Sequence, residues 1–358
     1  MDESLPHARS WMKRFWRSYY GRGAVALVLI GIISLSYWWP LLRDYQREQR
    51  VVDQITAAGG TVEYTRLASG YLFDLFPFSL ANQLTERVVR VRFDGKISQD
   101  LIKQLSTFEQ LESFDATNVD LTEIDLSVLK SCPKLYDIGL VLTQFGDSQM
   151  ARLQGLTRLE SLRLSRTQIT DVGLDQLQDM KLLASLQLAN TRISDAGLET
   201  LQRMGFHKLA TLDLCGTGIG DVGLIHLKGS SVGYLDLRET AVTEEGLKAL
   251  KGLPQLVTLL LSGKQIGDTG LEKLAGLPIQ YLIVRDSGVT DQGIKSLRGL
   301  PKLISVDLTN SQITDHGLQD LKTMTNLTEI QLGQTATTEE GRMELRKALP
   351  NCIIYPDP

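Results

Sequence analysis

Apolar residues along this chain fall into a pattern that returns about every 24 residues. Its clearest copy, LESLRLSRTQITDVGL from Leu159 to Leu174, returns as LASLQLANTRISDAGL from Leu183 and LISVDLTNSQITDHGL from Leu303. Counting from the first residue of each copy, apolar residues take steps 1, 4, 6 and 11; an acidic residue, a glycine and a leucine follow. Steps 4 and 6 alternate with polar residues, which predicts a short strand. The stretch after it, with Gly173, Leu174 and Leu177 on one face, has apolar residues three apart and predicts a helix.

Strand starts are expected at Leu111, Leu135, Leu159, Leu183, Leu209, Val232, Leu256, Ile279, Leu303 and Leu327, after an imperfect first rung (VVRVRF) near Arg87. The spacings, 24, 24, 24, 26, 23, 24, 23, 24 and 24, keep one phase for more than 200 residues. One strand-plus-helix unit cannot bury its own leucines, so such units must stack on their neighbours. Leu162 and Leu164 should point inward, with Ile169, Leu174 and Leu177 closing the same layer. Truncating one such leucine to alanine should cost about 2–5 kcal/mol. Step 9 carries Thr167, Thr191, Thr217, Thr240, Ser287, Ser311 and Thr335, whose hydroxyls can bond backbone groups where the chain turns. Val119 and Lys264 interrupt that row. The acidic residue two before the glycine recurs as Asp147, Asp171, Asp195, Asp221, Glu244, Asp268, Asp291, Asp315 and Glu339. It is expected to meet the free N–H groups of the helix it opens. A calcium array would need a glycine-rich nonapeptide repeat, which is absent.

The N-terminal part breaks with the repeat. Residues 1–23 are polar and basic, and Ala24 to Leu42 (AVALVLIGIISLSYWWPLL) carries no charge. Nineteen helical residues span about 28 Å, close to the hydrocarbon core of a bilayer. Tyr37, Trp38 and Trp39 sit where an interfacial belt belongs. A transmembrane signal anchor over 24–42 is therefore expected. Lys and Arg before the span outnumber those just after it, which puts residues 1–23 in the cytoplasm and the repeats on the extracytoplasmic side. Residues 43–86 are expected to form a juxtamembrane helix stopped at Gly59-Gly60, then a strand (TVEY), then an aromatic N-terminal cap around Phe73, Phe76 and Phe78. The repeats occupy 87–349, and 350–358 close the array with a short edge strand and tail.

Anchor and repeats together resemble membrane-anchored bacterial leucine-rich-repeat proteins. The ITDxGL core, as in Ile169 to Leu174 and Ile313 to Leu318, is similar to the cysteine-containing-like repeat subtype, although the subtype's usual cysteine is mostly missing. The resemblance implies an α/β leucine-rich-repeat solenoid, a right-handed horseshoe with parallel strands on its concave face, behind an N-terminal transmembrane helix. It also implies a binding scaffold. Some relatives serve as ubiquitin-ligase substrate adaptors, but no F-box-like helical segment precedes Arg87.

Side chains at steps 3, 5 and 7 should face out from the strands. Most are small: Ser113, Ser161, Ser185, Thr211, Thr258 and Ser305. The rungs from Val232, Leu256 and Ile279 differ. They carry Tyr234 and Tyr281 at step 3, Asp236, Leu260 and Ile283 at step 5, and Arg238 and Arg285 at step 7. Two tyrosines about 10 Å apart, with apolar residues between them and arginines alongside, have the composition of a binding hot spot for a protein or peptide, and suit a glycan as well. The alternative is a structural role, in which the array packs against copies of itself or the envelope.

Charge and composition narrow the function further. The 358 residues carry a net charge of −4, with 22% charged, and the strand face mixes Asp213, Asp236 and Asp307 with Arg163, Arg238 and Arg285. A nucleic-acid groove would be uniformly basic. Cys132, Cys215 and Cys352 lie too many rungs apart to pair, and Asp213 beside Cys215 disfavours a thiolate. The four histidines, His7, His207, His226 and His316, are expected at the surface. No nucleophile elbow, P-loop, H-E-x-x-H or paired C-x-x-C occurs, so neither enzyme, metal nor cofactor is expected. A hydrolase built on the Asp213–Asp236 pair is the one catalytic arrangement the sequence permits.

Overall fold

The computed structural model describes residues 39–40, 42–66, 86–205 and 207–356. The chain divides into two compact units, Met1–Gln54 with Tyr64–Val88, and Ile55–Glu63 with Val89–Pro358. In the first, residues 42–54 belong to the expected helix, which runs to residue 57. Glu48 on that helix is buried, accepts from Val88 N at 3.4 Å and lies 3.8 Å from the guanidinium of buried Arg87. No periodicity along the chain marks this pairing. The aromatic cap around Phe73, Phe76 and Phe78 lies outside the described residues. So does the expected span over 24–42, apart from Trp39, Pro40 and Leu42. Among the described residues, no helix is long and apolar enough to cross a membrane.

Among the described residues the strands follow the chain in space as one thirteen-stranded sheet ordered β1 to β13. They are β1 (Thr61–Arg66), β2 (Glu86–Phe93), β3 (Ser113–Ala116), β4 (Asp137–Gly139), β5 (Ser161–Arg163), β6 (Ser185–Gln187), β7 (Thr211–Asp213), β8 (Tyr234–Asp236), β9 (Thr258–Ser262), β10 (Tyr281–Arg285), β11 (Ser305–Asp307), β12 (Glu329–Gln331) and β13 (Ile353–Tyr355). From β2 onward every neighbouring pair is parallel and in register, so each step of the repeat forms a row across the sheet. Leu162, Leu164, Ile169, Leu174 and Leu177 are fully buried, as their spacing requires. Early rungs fill the same interior with Phe93, Phe108, Phe114 and Phe145 instead of leucine.

The segment opposite the strands is tighter than the expected helix. In five of the eleven rungs it is one α-turn, such as Asp171–Leu174, continued by a 3₁₀ turn, such as Asp175–Leu177. Only Asp195–Met204 and Glu339–Ala348 reach ten residues. A 24-residue period leaves no room for more once the strand and two turns are laid down.

Step 9 behaves as its residue type demands. The hydroxyls of Thr143, Thr167, Thr191, Thr217, Thr240, Ser311 and Thr335 each donate to the carbonyl three residues back, at 2.6–2.7 Å. The residue before each is left-handed in all seven, from Leu142 to Gln334, so the bond holds the chain through a sharp turn. Lys264, which replaces the hydroxyl in its rung, swings outward and donates from Nζ to the Ser287 and Asn310 carbonyls, at 3.0 and 3.3 Å.

The repeated acid corrects the expectation. It opens its helix, but the cap is the residue before it: Thr170, Ser194, Thr290 and Thr314 accept the free N–H two residues on. The carboxylate turns to the next rung instead. Asp147 accepts from Thr170 N at 2.8 Å and from Thr170 Oγ1 at 2.6 Å. Asp171 with Ser194, Asp221 with Thr243, Asp268 with Thr290, Asp291 with Thr314 and Asp315 with Thr338 repeat this pair of bonds. Where the cap is Gly220 or Gly267, Asp195 or Glu244 takes its N–H alone among the two, at 2.7 Å. The repeat's glycine is explained by the same contact. A Cβ on Gly173, Gly223, Gly293 or Gly341 would collide with the aspartate of the rung before. The T-D-x-G signature is thus a latch whose parts sit in successive rungs.

Candidate functional site

Register brings the predicted face residues together. Tyr234, Thr258, Tyr281 and Ser305 form one row, and Asp236, Leu260, Ile283 and Asp307 the next. The two tyrosines are two strands apart, about 10 Å. Tyr234 is half-buried, whereas Tyr281 is 45% exposed. Ile283 is half-buried and Arg285 exposed.

Two expected contact residues are withdrawn from the surface. Leu260 is buried, flanked in register by Asp236 and Ile283. Asp236 is 1% exposed because Arg238 folds back over it, with Nη2 to Oδ2 at 2.6 Å and Nε to Oδ1 at 3.0 Å. That pairing raises the Arg238 pKa, fixing its charge. Arg285 reaches the other way, from Nε to Asp307 Oδ2 at 2.6 Å, and Asp307 is also buried. Both arginines are therefore neutralised by aspartates in their own sheet. What remains accessible is Tyr281, the edges of Tyr234 and Ile283, and the outer faces of the two guanidinium groups.

These rungs also depart from the repeat in backbone. β9 and β10 run five residues where β4 to β8 run three, adding the pairs Val284↔Leu261 and Arg285↔Ser262. Lys264 ties their outer turns.

The catalytic arrangement the sequence permitted is disfavoured by its surroundings. Asp213 is adjacent to Asp236 in register. Burial raises its pKa, with Asp236 adding to the effect, while Asp236 has its oxygens engaged by Arg238. The Cys215 thiol is pushed up to about 11, by burial first and then by Asp236. Cys132, Cys215 and Cys352 are unpaired. Among the described residues, no group of three or more His, Cys, Asp and Glu could hold a metal ion.

A second cluster was not singled out from sequence. Arg163 spans Gly139 to reach Asp115 Oδ2 at 3.1 Å and Asp137 Oδ2 at 2.9 Å, and Ser113, expected to be exposed, is buried and donates to Asp137 at 2.7 Å. The available signal was a glycine at an outward strand step, between rungs carrying opposite charges at that step.

Residues 156–177 match a family model described as Leucine Rich repeat. A search of curated proteins returns no match. Similar solved structures include an internalin from Listeria monocytogenes, 20% identical with a TM-score of 0.48, over 72% of this chain and 70% of that one. A TLR13–ssRNA13 complex is 18% identical with a TM-score of 0.39, over 70% of this chain and 46% of that one, less than half its length. Twelve in-register parallel strands built on one repeated pattern, one copy of which matches the leucine-rich-repeat model, give this chain an α/β solenoid fold of leucine-rich repeats.

Proposed function

We propose that the chain is a non-enzymatic scaffold that holds a protein or peptide partner against its strand face, at Tyr234, Arg238, Tyr281, Ile283 and Arg285. The observation that carries this is the exposed Tyr281 ring, flanked in its row by Thr258 and Ser305, with Ile283 two residues along and an arginine already neutralised at its side. Aromatic and arginine side chains on a rigid sheet lose little freedom on binding. Because Arg238 and Arg285 are charge-compensated, this patch favours an apolar or aromatic anchor over an anionic glycan. We further propose that residues 24–42 anchor the chain in a membrane, with the N-terminus cytoplasmic and the repeats outside. Support for the anchor is the uncharged run and its basic flank.

Crosslinking and mass spectrometry on intact membranes of the native cells test both parts. The Tyr234→Ala/Tyr281→Ala double variant should lose its crosslinked partners while staying in the membrane fraction after carbonate extraction. An unchanged partner set refutes the patch, and release by carbonate refutes the anchor. The structural alternative has one observation in its favour: Val172 and Val222, both about 65% exposed, and Ile225 at 59%, on the side opposite the strands. Self-association lost on Val222→Asp, with no crosslinked partner, would favour it.

A further inference from the structure

The strand face has a second feature, which the tyrosine patch does not use. An open basin of about 360 Å³ lies over β2 to β5, lined among others by Glu63, Arg90, Arg92, Asp115, Asp137 and Arg163. Its floor is fixed and carries one net negative charge, from two aspartates bridged by one arginine. Arg163 bridges Asp115 and Asp137, Thr117 Oγ1 donates to Asp115 Oδ1 at 2.6 Å, and Ser113 Oγ donates to Asp137 Oδ2 at 2.7 Å. Gly139 permits the bridge, since a Cβ there would fall 2.8 Å from both Arg163 Nη2 and Asp115 Oδ2.

The rim differs in kind. Arg90 and Arg92 lie two residues apart on β2, so their side chains leave the same face about 7 Å apart. Arg90 donates to Glu63 Oε2 at 3.3 Å and contacts Tyr136; Arg92 donates to Asp94 Oδ1 at 3.1 Å. All four ion-pair members are more than half exposed, so the pairs are weak and exchangeable. Each guanidinium has five N–H donors, most of them uncommitted. Each floor carboxylate, by contrast, already holds two donors. Spare capacity in the basin is therefore donor capacity, matched by an oxyanion.

We propose that the basin receives a carboxylate of an acidic peptide segment, held between Arg90 and Arg92; this rests on the strand face being a peptide-binding surface. The incoming carboxylate replaces Glu63 and Asp94, one solvated pair for another. Arg163 offsets one of the two charges of Asp115 and Asp137, and with Glu63 and Asp94 displaced, Arg90 and Arg92 leave the basin with one positive charge in excess. The segment then runs along the outward rows toward Tyr234 and Tyr281, and a partner with an acidic end and an aromatic or aliphatic anchor fits both sites.

Fluorescence polarisation of the full-length protein in non-ionic detergent, at low salt, tests this with a labelled glutamate-rich peptide. The peptide should bind, and Arg90→Ala/Arg92→Ala should weaken it at least about tenfold. Tyr234→Ala/Tyr281→Ala should change it less than about twofold, since those side chains lie several rungs away. A lysine-rich peptide of equal length should not bind, and millimolar inorganic phosphate should not displace the acidic one. Circular dichroism should show the arginine variant melting with the parent, because both side chains are solvated. Absent binding, an indifferent arginine variant, preference for the lysine-rich peptide or full displacement by free phosphate overturns the proposal. If the acidic peptide fails while crosslinks still depend on the tyrosines, the basin falls and the tyrosine site stands.

Discussion

The latch between rungs makes a prediction of unusual sign. Gly173 is the third residue of a helical turn, where alanine normally stabilises by about 0.5–1 kcal/mol. A Cβ there would collide with Asp147 Oδ1 and meets the Asp147 carboxyl carbon and Met150 Cγ only at ordinary contact, 3.4 Å. Gly173→Ala must therefore push the Asp147 carboxylate off Thr170 N and Thr170 Oγ1, the two groups it bonds. Bonds to a charged group contribute about 1.5–3 kcal/mol each, less where partly solvated, and the Thr170 N–H would lose its partner. A loss of about 2–4 kcal/mol minus the helical gain leaves Gly173→Ala destabilised by about 1–3 kcal/mol. Asp147→Ala alone should cost about 2–4 kcal/mol for the same bonds. In that background the collision is gone, so adding Gly173→Ala should be neutral or stabilising by up to about 1 kcal/mol. The double variant would then be more stable than the sum of the singles by about 1–4 kcal/mol, above the usual additivity error of about 0.5 kcal/mol. Guanidinium unfolding followed by circular dichroism at 222 nm measures all four corners of the cycle. Additive singles, or a Gly173→Ala variant at least as stable as the parent, would show that the aspartate and glycine do not meet.

Two further outcomes follow from the titrating groups. The Asp315 carboxyl is held below its usual value, first by the Thr338 hydroxyl and then by the Thr338 N–H. Its contribution is thus full above the ordinary carboxylate value and is lost as pH falls through the folded one, so Asp315→Asn should flatten the stability profile in acid, below about pH 4. Equal acid sensitivity in parent and variant, from unfolding midpoints across pH 2–6, would contradict this. Burial and Asp236 push the Cys215 thiol up to about 11. Iodoacetamide should therefore leave it largely unmodified at pH 8, with faster labelling in Asp236→Asn; rapid labelling of the parent in peptide mass spectra would rule out that environment.

The interior was legible because burial imposes identity. A leucine at step 4 or 6 has one direction to point, and a phase kept from Leu111 to Leu327 names every strand from β3 to β12. The acidic row was equally visible, yet its partner was misassigned. Sequence proximity favoured the helix it opens, whereas the carboxylate's actual donors lie 22–25 residues on, one full period away. A period tells which residues are neighbours across rungs only if the rows are read down the array and not along the chain. The same habit explains the face. Tyr234, Arg238, Tyr281 and Arg285 could be grouped from their steps, but Asp236 and Leu260 were counted as available because a step number gives direction and not cover. Arg238 lying over Asp236 is a contact between residues two apart that no periodicity encodes. Arg163 was read as one charge on a mixed surface; only the hole at Gly139 tells that it lies flat and joins two carboxylates.

Such departures are informative because the rest of the repeat leaves so little freedom. Steps 1, 4, 6 and 11 are fixed by burial, step 9 in most rungs by a hydroxyl that holds the turn, and the T-D-x-G steps by the latch between rungs. Only the outward steps can change without cost to stacking, and at step 3 most of them are serine or threonine. Where a rung instead changes its backbone as well, the change calls for a cause outside stacking. β9 gives up its step-9 hydroxyl for Lys264, and β9 and β10 lengthen to five residues beneath Tyr281 and Arg285. β4 gives up a side chain altogether at Gly139 beneath Arg163. Neither alteration improves the interior, since Leu259, Leu282 and Ile138 are buried as completely as their counterparts in regular rungs. Both alter what the sheet presents to solvent. That places the two irregular regions, and not the regular rungs between them, where a partner would be distinguished from any other chain.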